Sequence, residues 1–167
     1  AGYAVVLSIG RVSSGQNPNV IPDRAELSGT LRTLSAAVRG QTIEKIRQIM
    51  RGVSEVTATE IELTFTASIP SVQNDPNATE IVRMAAAEVV DVDGIQPITR
   101  PSMGSEDFAC FVEEVPGAMF RLGVASDLST VTPLHTPRFD IDEAALQLGV
   151  RILARTVIMS CEKCRPM

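Results

Sequence analysis

The chain switches between two hydrophobic periods, and their order restricts the folds that it can adopt. Residues 4–12 are rich in β-branched side chains, and residues 25–33 alternate between apolar and polar side chains, so both predict strands. A helical period follows over residues 36–52, and residues 57–66 alternate again. An antiparallel sheet covered by helices has this order, and a ferredoxin-like layer would give it if one strand and one helix came first.

The order changes after a proline-marked segment, residues 69–76, which we interpret as a linker. Five elements are predicted beyond it: a helix near 77–90 capped by Asn77, a strand near 96–100, a helix capped by Ser105, a strand near 117–124 and a helix over 141–159 opened by Asp140. Alternating helices and strands favour an α/β layer with a mostly parallel sheet. The predicted fold class is therefore mixed α/β (α+β), with one domain over residues 1–69 and a second over residues 70–167.

Composition narrows the classes of partner. The formal net charge of −5 disfavours nucleic acid, since phosphate binding requires a basic face. The sequence has neither a basic leader nor an apolar run close to the roughly 20 residues that span a bilayer, so no membrane partner is expected. Three cysteines suit a reducing compartment, which predicts a cytoplasmic location. Cys161 and Cys164 have the spacing of a redox or zinc half-site, but without a second pair we interpret them as a terminal tail.

A single histidine, His135, lies between Pro133 and Pro137, which stiffen its loop. It is the one side chain that can serve as an imidazole ligand or as an acid and base near neutral pH. A catalytic metal normally needs about three protein ligands, so one imidazole cannot hold it. His135 is therefore either a structural turn residue or part of a larger site, and we favour the larger site.

Three further places could bind a substrate. Gly104, Ser105 and Glu106 open a predicted helix, whose first N–H groups could bind a carboxylate or could simply be capped. Arg32 projects from the polar face of its strand, where its guanidinium could grip a carboxylate or remain solvated. Asn19 could donate its amide to a substrate carbonyl, or it could be a turn former only.

Three segments, taken together and in this order, resemble the metal-dependent amidohydrolases of the aminoacylase/carboxypeptidase family. They are Asn-Val-Ile-Pro-Asp at residues 19–23 with Leu-Ser-Gly-Thr-Leu-Arg-Thr at 27–33, Met-Gly-Ser-Glu-Asp-Phe at 103–108, and Pro-Leu-His-Thr-Pro at 133–137. The nearest subgroup is that of hippurate hydrolase and the plant indoleacetyl-amino-acid hydrolases. The resemblance covers essentially the whole chain.

The resemblance implies a divided architecture. Residues 1–69 would be the second part of a ferredoxin-like lid that also forms a homodimer. Residues 70–167 would be the C-terminal part of a two-metal, aminopeptidase-like α/β catalytic domain. By the same resemblance His135 would be a ligand of a divalent metal (Zn, Mn, Co or Ni) in the intact enzyme. The implied substrate-binding residues are Asn19, Arg32, Gly104, Ser105 and Glu106.

The family's other metal ligands, its catalytic glutamate and its lid histidine have no counterpart in this sequence. A metal-activated water needs those groups, so we expect the chain alone to bind no metal and to be inactive. The expected activity of the intact enzyme is hydrolysis of the amide bond of an N-acyl amino acid or a small peptide-like substrate. The alternative is a non-catalytic dimerisation or binding module derived from such an enzyme.

Overall fold

A computed structural model describes residues 4–127 and 131–163, and within them the chain is mixed α/β. It divides into two compact units. The first unit contains the residues up to Ser71 together with Arg100–Ala109, and the second contains Val72–Thr99 and the residues from Cys110 onward. The two units therefore interleave along the sequence. The predicted domain boundary after residue 69 stays a prediction about the intact protein.

Two antiparallel strands form the sheet of the first unit: β1 (Val5–Ser14) and β2 (Ala25–Thr33). Both strands were predicted, and β2 has the predicted bounds. Gly10 is an extra residue that shifts the register between Ile9 and Arg11. Without this bulge, strict alternation would place Arg11 rather than Val12 on the face of Ile9. The bulge therefore keeps one face of the hairpin apolar.

Helix α1 (Ala36–Thr57) follows β2 and packs against it. The hydroxyl of Ser35 accepts a hydrogen bond from the N–H of Val38 at 3.2 Å, which confirms the predicted cap. The buried side chain of α1 is Ile43. The helix continues five residues beyond its predicted end at residue 52 and stops at Ala58, which has a left-handed φ of 53°.

The predicted strand over residues 57–66 is wrong. Thr57 still belongs to α1, and residues 59–70 have no regular secondary structure. A strand requires a neighbour to complete its hydrogen bonds, and within the described residues no strand pairs with this segment. The segment instead contacts α1: the Arg39 guanidinium lies 5.8 Å from the centre of the Phe65 ring. The described part of the chain therefore contains a two-stranded sheet, and the ferredoxin-like layer stays a prediction.

Helix α2 (Pro76–Ala87) opens the second unit. Its cap is Asp75, whose carboxylate accepts from the N–H of Ala78 at 2.8 Å. The predicted cap, Asn77, is therefore wrong. Pro76 explains the difference: proline has no N–H to satisfy and its fixed φ suits the first helical position, so the residue before it becomes the cap.

Two further helices follow. Helix α3 (Phe108–Glu114) begins in the first unit and continues into the second, and α4 (Ala144–Lys163) lies in the second unit. A short 3-10 turn covers Val92–Gly94. Helix α4 packs on α2, and its buried side chains are Ala145 and Ile152, as its predicted apolar stripe requires. The carboxylate that caps α4 belongs to Asp142, which accepts from Ala144 N–H at 2.9 Å. Asp140, the predicted opening residue, instead binds the N–H of Ile141.

The predicted strands near residues 96–100 and 117–124 are also wrong. Both segments lack strand pairing within the described residues, so the predicted parallel sheet is not formed there. The second segment is held at its two ends by backbone bonds, from Asp75 N–H to Gly117 C=O and from Asp142 N–H to Val124 C=O, each 2.8 Å long. Apolar sequence alone cannot make a strand when no partner strand lies beside it.

Little of the chain is buried. Its accessible surface is 13782 Å², whereas two separate globular units of about 9 kDa would together expose roughly 9,700 Å². Much of the excess is apolar: Leu7, Ile9, Val12 and Leu27 on one face of the hairpin are each more than half exposed. Each unit therefore presents apolar surface that its own residues do not cover.

Helix α4 is long and apolar enough to cross a membrane by length and composition, with a mean hydropathy of 1.3. We expected no apolar segment long enough to span a bilayer, and α4 does not meet that expectation. Length and composition are weak evidence for a membrane span, because the core helix of a globular protein passes the same test. In this structure α4 packs on α2.

An ion pair joins the same two helices. The guanidinium of Arg155 on α4 binds both carboxylate oxygens of Glu88 at the end of α2, with the NH2 to Oε1 distance at 3.0 Å. This hydrogen bonding holds the pKa of Glu88 below its ordinary value of 4.5. A depressed carboxyl pKa stabilises the fold above the unfolded pKa and loses that contribution as pH falls through the folded pKa.

We therefore expect Arg155→Met to reduce the loss of stability on acidification below about pH 4.5. The measurement is urea unfolding across pH 3 to 7. Arg151→Met is the matched control, since Arg151 is an exposed arginine of the same helix that forms no ion pair within the described residues, and it should leave the acid dependence unchanged. An unchanged acid dependence in Arg155→Met would show that the interhelical pair contributes nothing.

Candidate functional site

Arg32 lies near the end of β2, on the polar face that the alternation predicted. Its side chain is half-buried, and NH1 donates to the carbonyl of Met103 at 2.7 Å. This bond joins positions 71 residues apart in the sequence. It ties β2 to the loop that contains Gly104, Ser105 and Glu106. Two of the sequence-predicted substrate sites therefore meet in the first unit.

The charge of Arg32 has no acidic partner in the part of the chain that the structure describes. Among residues 4–127 and 131–163 the hydrogen bond of Arg32 uses NH1, so the Nε and NH2 edge of the guanidinium has no hydrogen-bond partner there. A half-buried cation that is not neutralised favours an anion beside it. The fork geometry of that edge matches a carboxylate, which can accept two parallel N–H bonds.

The loop beside Arg32 is organised locally. The N–H of Gly104 donates to the Ser102 hydroxyl at 3.1 Å. Glu106 contributes its backbone carbonyl to Ala109 N–H at 3.2 Å and its carboxylate to Phe108 N–H at 3.5 Å. Helix α3 begins at Phe108, so the predicted cap at Ser105 is wrong and Glu106 has that role. The first two N–H groups of α3, those of Phe108 and Ala109, thus have protein partners, while Ser105 is exposed.

Asn19 lies in the turn between β1 and β2, where Val20 N–H donates to Asn17 C=O at 3.4 Å. Its position is at the far end of the hairpin from Arg32. Arg32 lies seven positions beyond Ala25 in β2, which is about 23 Å at the rise of a strand. The structure therefore places the start of β2, beside the turn that contains Asn19, far from the Arg32 site within one chain.

His135 lies in the second unit, in a turn before α4, with an exposed side chain. Its φ of 63° is left-handed, an uncommon conformation that histidine adopts more readily than most non-glycine residues. The turn is fixed by the Thr132 hydroxyl, which accepts from Asp140 N–H at 3.2 Å, and by the Thr136 hydroxyl, which donates to Pro133 C=O at 3.0 Å.

The described residues do not by themselves fit a metal ion. Within 4–127 and 131–163, no group of three or more His, Cys, Asp and Glu side chains converges. Cys110 and Cys161 are exposed, and Cys164 lies outside the described residues. Because a catalytic metal needs about three ligands, His135 can contribute one ligand but cannot make the site.

In the part of the chain that the structure describes, two cavities have linings that include none of these residues. One, of about 250 Å³, is lined by Ile81, Met84, Met159, Glu162 and Lys163. The other, of about 410 Å³, lies along α1 and is lined by Arg47, Met50, Arg51, Ser54, Glu55, Ile61 and Leu63. Neither contains a sequence-predicted site residue. The chemistry of the residues favours Arg32 and His135 over either cavity.

The sequence did not predict the groups that bind Arg32 or close the His135 turn. The Met103 carbonyl is a backbone atom, and no side-chain pattern identifies which carbonyl an arginine will bind. The Thr132 hydroxyl was overlooked, although a threonine directly before Pro133 and close to a helix start is a sequence signal for a turn.

Comparison with known proteins defines the class. The sequence matches the peptidase family M20/M25/M40 over residues 3–159, so the chain belongs to this family. It is 40% identical to a probable hydrolase of Synechocystis over 151 residues, which are 90% of this chain and 38% of that protein. It is 33% identical to the N-acetylcysteine deacetylase of Bacillus subtilis, over 94% of this chain and 40% of that enzyme.

A crystal structure supports the same assignment. The Bacillus subtilis protein described as a dinuclear metal-binding peptidase of the M20 family superposes with a TM-score of 0.82 at 33% identity. The match covers 95% of this chain and 42% of that one. The chain thus spans about two fifths of the length of the relatives that it matches. The family resemblance predicted from the sequence motifs is confirmed at this level.

Proposed function

We propose that the intact protein hydrolyses the amide bond of N-acyl amino acids or small peptide-like substrates, and that Arg32 binds the substrate carboxylate. The observation that carries this proposal is the bond from Arg32 to the Met103 carbonyl, which sets an unneutralised guanidinium beside the 104–106 loop. Family membership and the similarity to a deacetylase of an N-acyl amino acid support the reaction class. The hippurate hydrolase and indoleacetyl-amino-acid hydrolase subgroup remains our narrower proposal.

Within this proposal each residue of the Arg32 site has a different role. The Nε and NH2 groups of Arg32 would donate hydrogen bonds to the substrate carboxylate, while NH1 donates to the Met103 carbonyl of the loop. Ser105, which is exposed at the turn of that loop, is available to the same substrate, and Gly104 leaves room for a close approach. Glu106 would act indirectly, because it stabilises the start of α3. Asn19 lies too far along the hairpin to join them within one chain.

We also propose that His135 supplies one ligand to the divalent metal site (Zn, Mn, Co or Ni) of the intact enzyme. The similarity to a dinuclear metal-binding peptidase supports this role. The other ligands would be residues outside this sequence, since its described part offers no cluster. Homodimerisation through the hairpin unit and a cytoplasmic location are also part of the proposal, and the exposed apolar hairpin face favours the dimer.

Replacing Arg32 tests the substrate assignment. In the intact enzyme we expect Arg32→Ala to lower kcat/KM for N-acetyl amino acids roughly thirtyfold, because a charge-assisted bond to the carboxylate is lost. The effect should fall mainly on KM. For substrates in which the carboxylate is replaced by a neutral amide, Arg32→Ala should lower kcat/KM much less.

Arg11→Ala is the matched control, since Arg11 lies on the same polar face of the hairpin but is exposed and pairs with Ser28, four positions before Arg32 in β2. Steady-state kinetics with the paired substrates is the measurement. Equal losses for acid and amide substrates would show that Arg32 does not recognise the carboxylate. Full activity of the 167-residue chain alone would contradict the expected need for residues outside it.

A further inference from the structure

The turn that carries His135 is closed by one side chain. The Thr132 hydroxyl accepts the N–H of Asp140 at 3.2 Å, a bond across eight positions that joins the two ends of the turn. Inside it, Thr136 O–H donates to Pro133 C=O and Phe139 N–H donates to Thr136 C=O, at 3.0 and 3.1 Å. The inner bonds shape local turns, whereas the Thr132 bond holds the whole loop together.

The end of the loop is anchored to regular structure. Asp140 accepts from Ile141 N–H at 2.9 Å, and the next residue, Asp142, caps α4 and donates to Val124 C=O. A bond from Thr132 to Asp140 therefore connects the approach to His135 with the fixed start of α4. The Thr132 side chain is half-buried, in contrast to its exposed neighbours in the turn.

His135 needs such support. Its left-handed φ of 63° is a strained conformation for a residue with a Cβ, and conformations of this kind persist where the surrounding structure enforces them. No hydrogen bond holds the imidazole itself within residues 4–127 and 131–163. The backbone of the turn therefore sets the position from which the imidazole projects.

We propose that Thr132 is a positioning residue whose hydroxyl closes the 132–140 turn and thereby holds the His135 backbone, from which the imidazole projects, in one conformation. The value of that placement for metal binding rests on the proposed function. The closure itself does not. A well-ordered ligand loses less conformational freedom on binding a metal, and groups that orient metal-ligating histidines commonly alter affinity tenfold to a hundredfold.

The sequence offers a clean probe, because His135 is its sole histidine and gives one set of imidazole signals. The experiment compares the 167-residue chain with Thr132→Val and Thr132→Ser, by NMR of the ring and by amide exchange of Asp140. Thr132→Val should shift the ring signals toward random-coil positions and speed Asp140 exchange roughly fivefold, as expected for one lost hydrogen bond. Thr132→Ser, which keeps the acceptor, should restore both.

Thr156→Val is the matched control: it removes a half-buried hydroxyl of the second unit that bonds to the Ile152 carbonyl within α4. It should leave the His135 signals unchanged. Thr132→Ala provides a second variant without the branched side chain and should behave as Thr132→Val does. Native ring signals in Thr132→Val and Thr132→Ala would overturn the proposal, as would equal shifts in Thr156→Val.

These readouts are independent of catalysis. If His135 proves to bind no metal in the intact enzyme, the proposed function fails while the ring signals still report whether Thr132 orders the turn. If the ring signals do not respond to Thr132, the positioning role fails while the metal role of His135 stays open to its own test.

Discussion

Gly29→Ala is expected to separate β1 from β2. A Cβ placed on Gly29 would lie 2.0 Å from the Ser8 carbonyl oxygen and 3.0 Å from the Ile9 Cα. Both are backbone atoms of the paired strand, so no side-chain rotation can relieve the clash. Overpacking against backbone atoms that cannot yield costs about 3 kcal/mol. Amide exchange in both strands should become at least about a hundredfold faster.

Gly10→Ala is the matched control for this change. Gly10 is the bulge residue in the facing strand, and a Cβ there would meet nothing within 4 Å. Gly10→Ala should change the amide exchange rates of the two strands by much less. The amides of α2 and α4 in the other unit should keep their protection from exchange in both variants. Native exchange in Gly29→Ala would mean that the strands lie farther apart than the structure places them.

His135→Ala is expected to have the second large effect, in the intact enzyme. If His135 is a metal ligand, its removal should lower metal affinity by at least about a hundredfold, since even groups that only orient such ligands alter affinity tenfold to a hundredfold. Hydrolysis should fall with metal occupancy. Metal content of the purified protein, measured beside kcat, checks both consequences.

Arg138→Ala controls for disturbance of the same turn, because Arg138 is exposed and forms no ion pair among the residues that the structure describes. It should retain metal. Unchanged metal content in His135→Ala would remove the ligand role and would favour the non-catalytic dimerisation or binding module. Loss of activity with full metal occupancy would instead assign His135 another part in the reaction.

Local signals in the sequence predicted local structure well. Alternation gave β2 its bounds, Ser35 was identified as a cap, and the α4 stripe of Ala145 and Ile152 was buried as predicted. Where these predictions failed, a neighbouring residue competed with the chosen one. Asp75 caps α2 in place of Asn77 because proline occupies the next position.

The strand predictions failed for a different reason. Residues 57–66, 96–100 and 117–124 have apolar patterns that suit strands, yet none pairs within the described residues. A helix closes its hydrogen bonds within its own segment, whereas a strand depends on another segment that its own sequence does not specify. Helices were therefore predicted more reliably than strands.

By itself, the sequence determined which residues could be functional. It identified one histidine between prolines, an arginine on a polar strand face, and motifs whose order identified the family. Residue type and spacing carry that information because ligand chemistry and backbone periodicity are local properties.

Only the tertiary structure decided which of these residues meet. It joined Arg32 to the Met103 carbonyl, separated Asn19 by the length of the hairpin, and closed the His135 turn through Thr132. Such contacts depend on how distant segments pack, and two of the three involve backbone atoms that are the same in every residue. Their positions follow from the fold, because the chemical identity of a backbone carbonyl or N–H does not distinguish one from another.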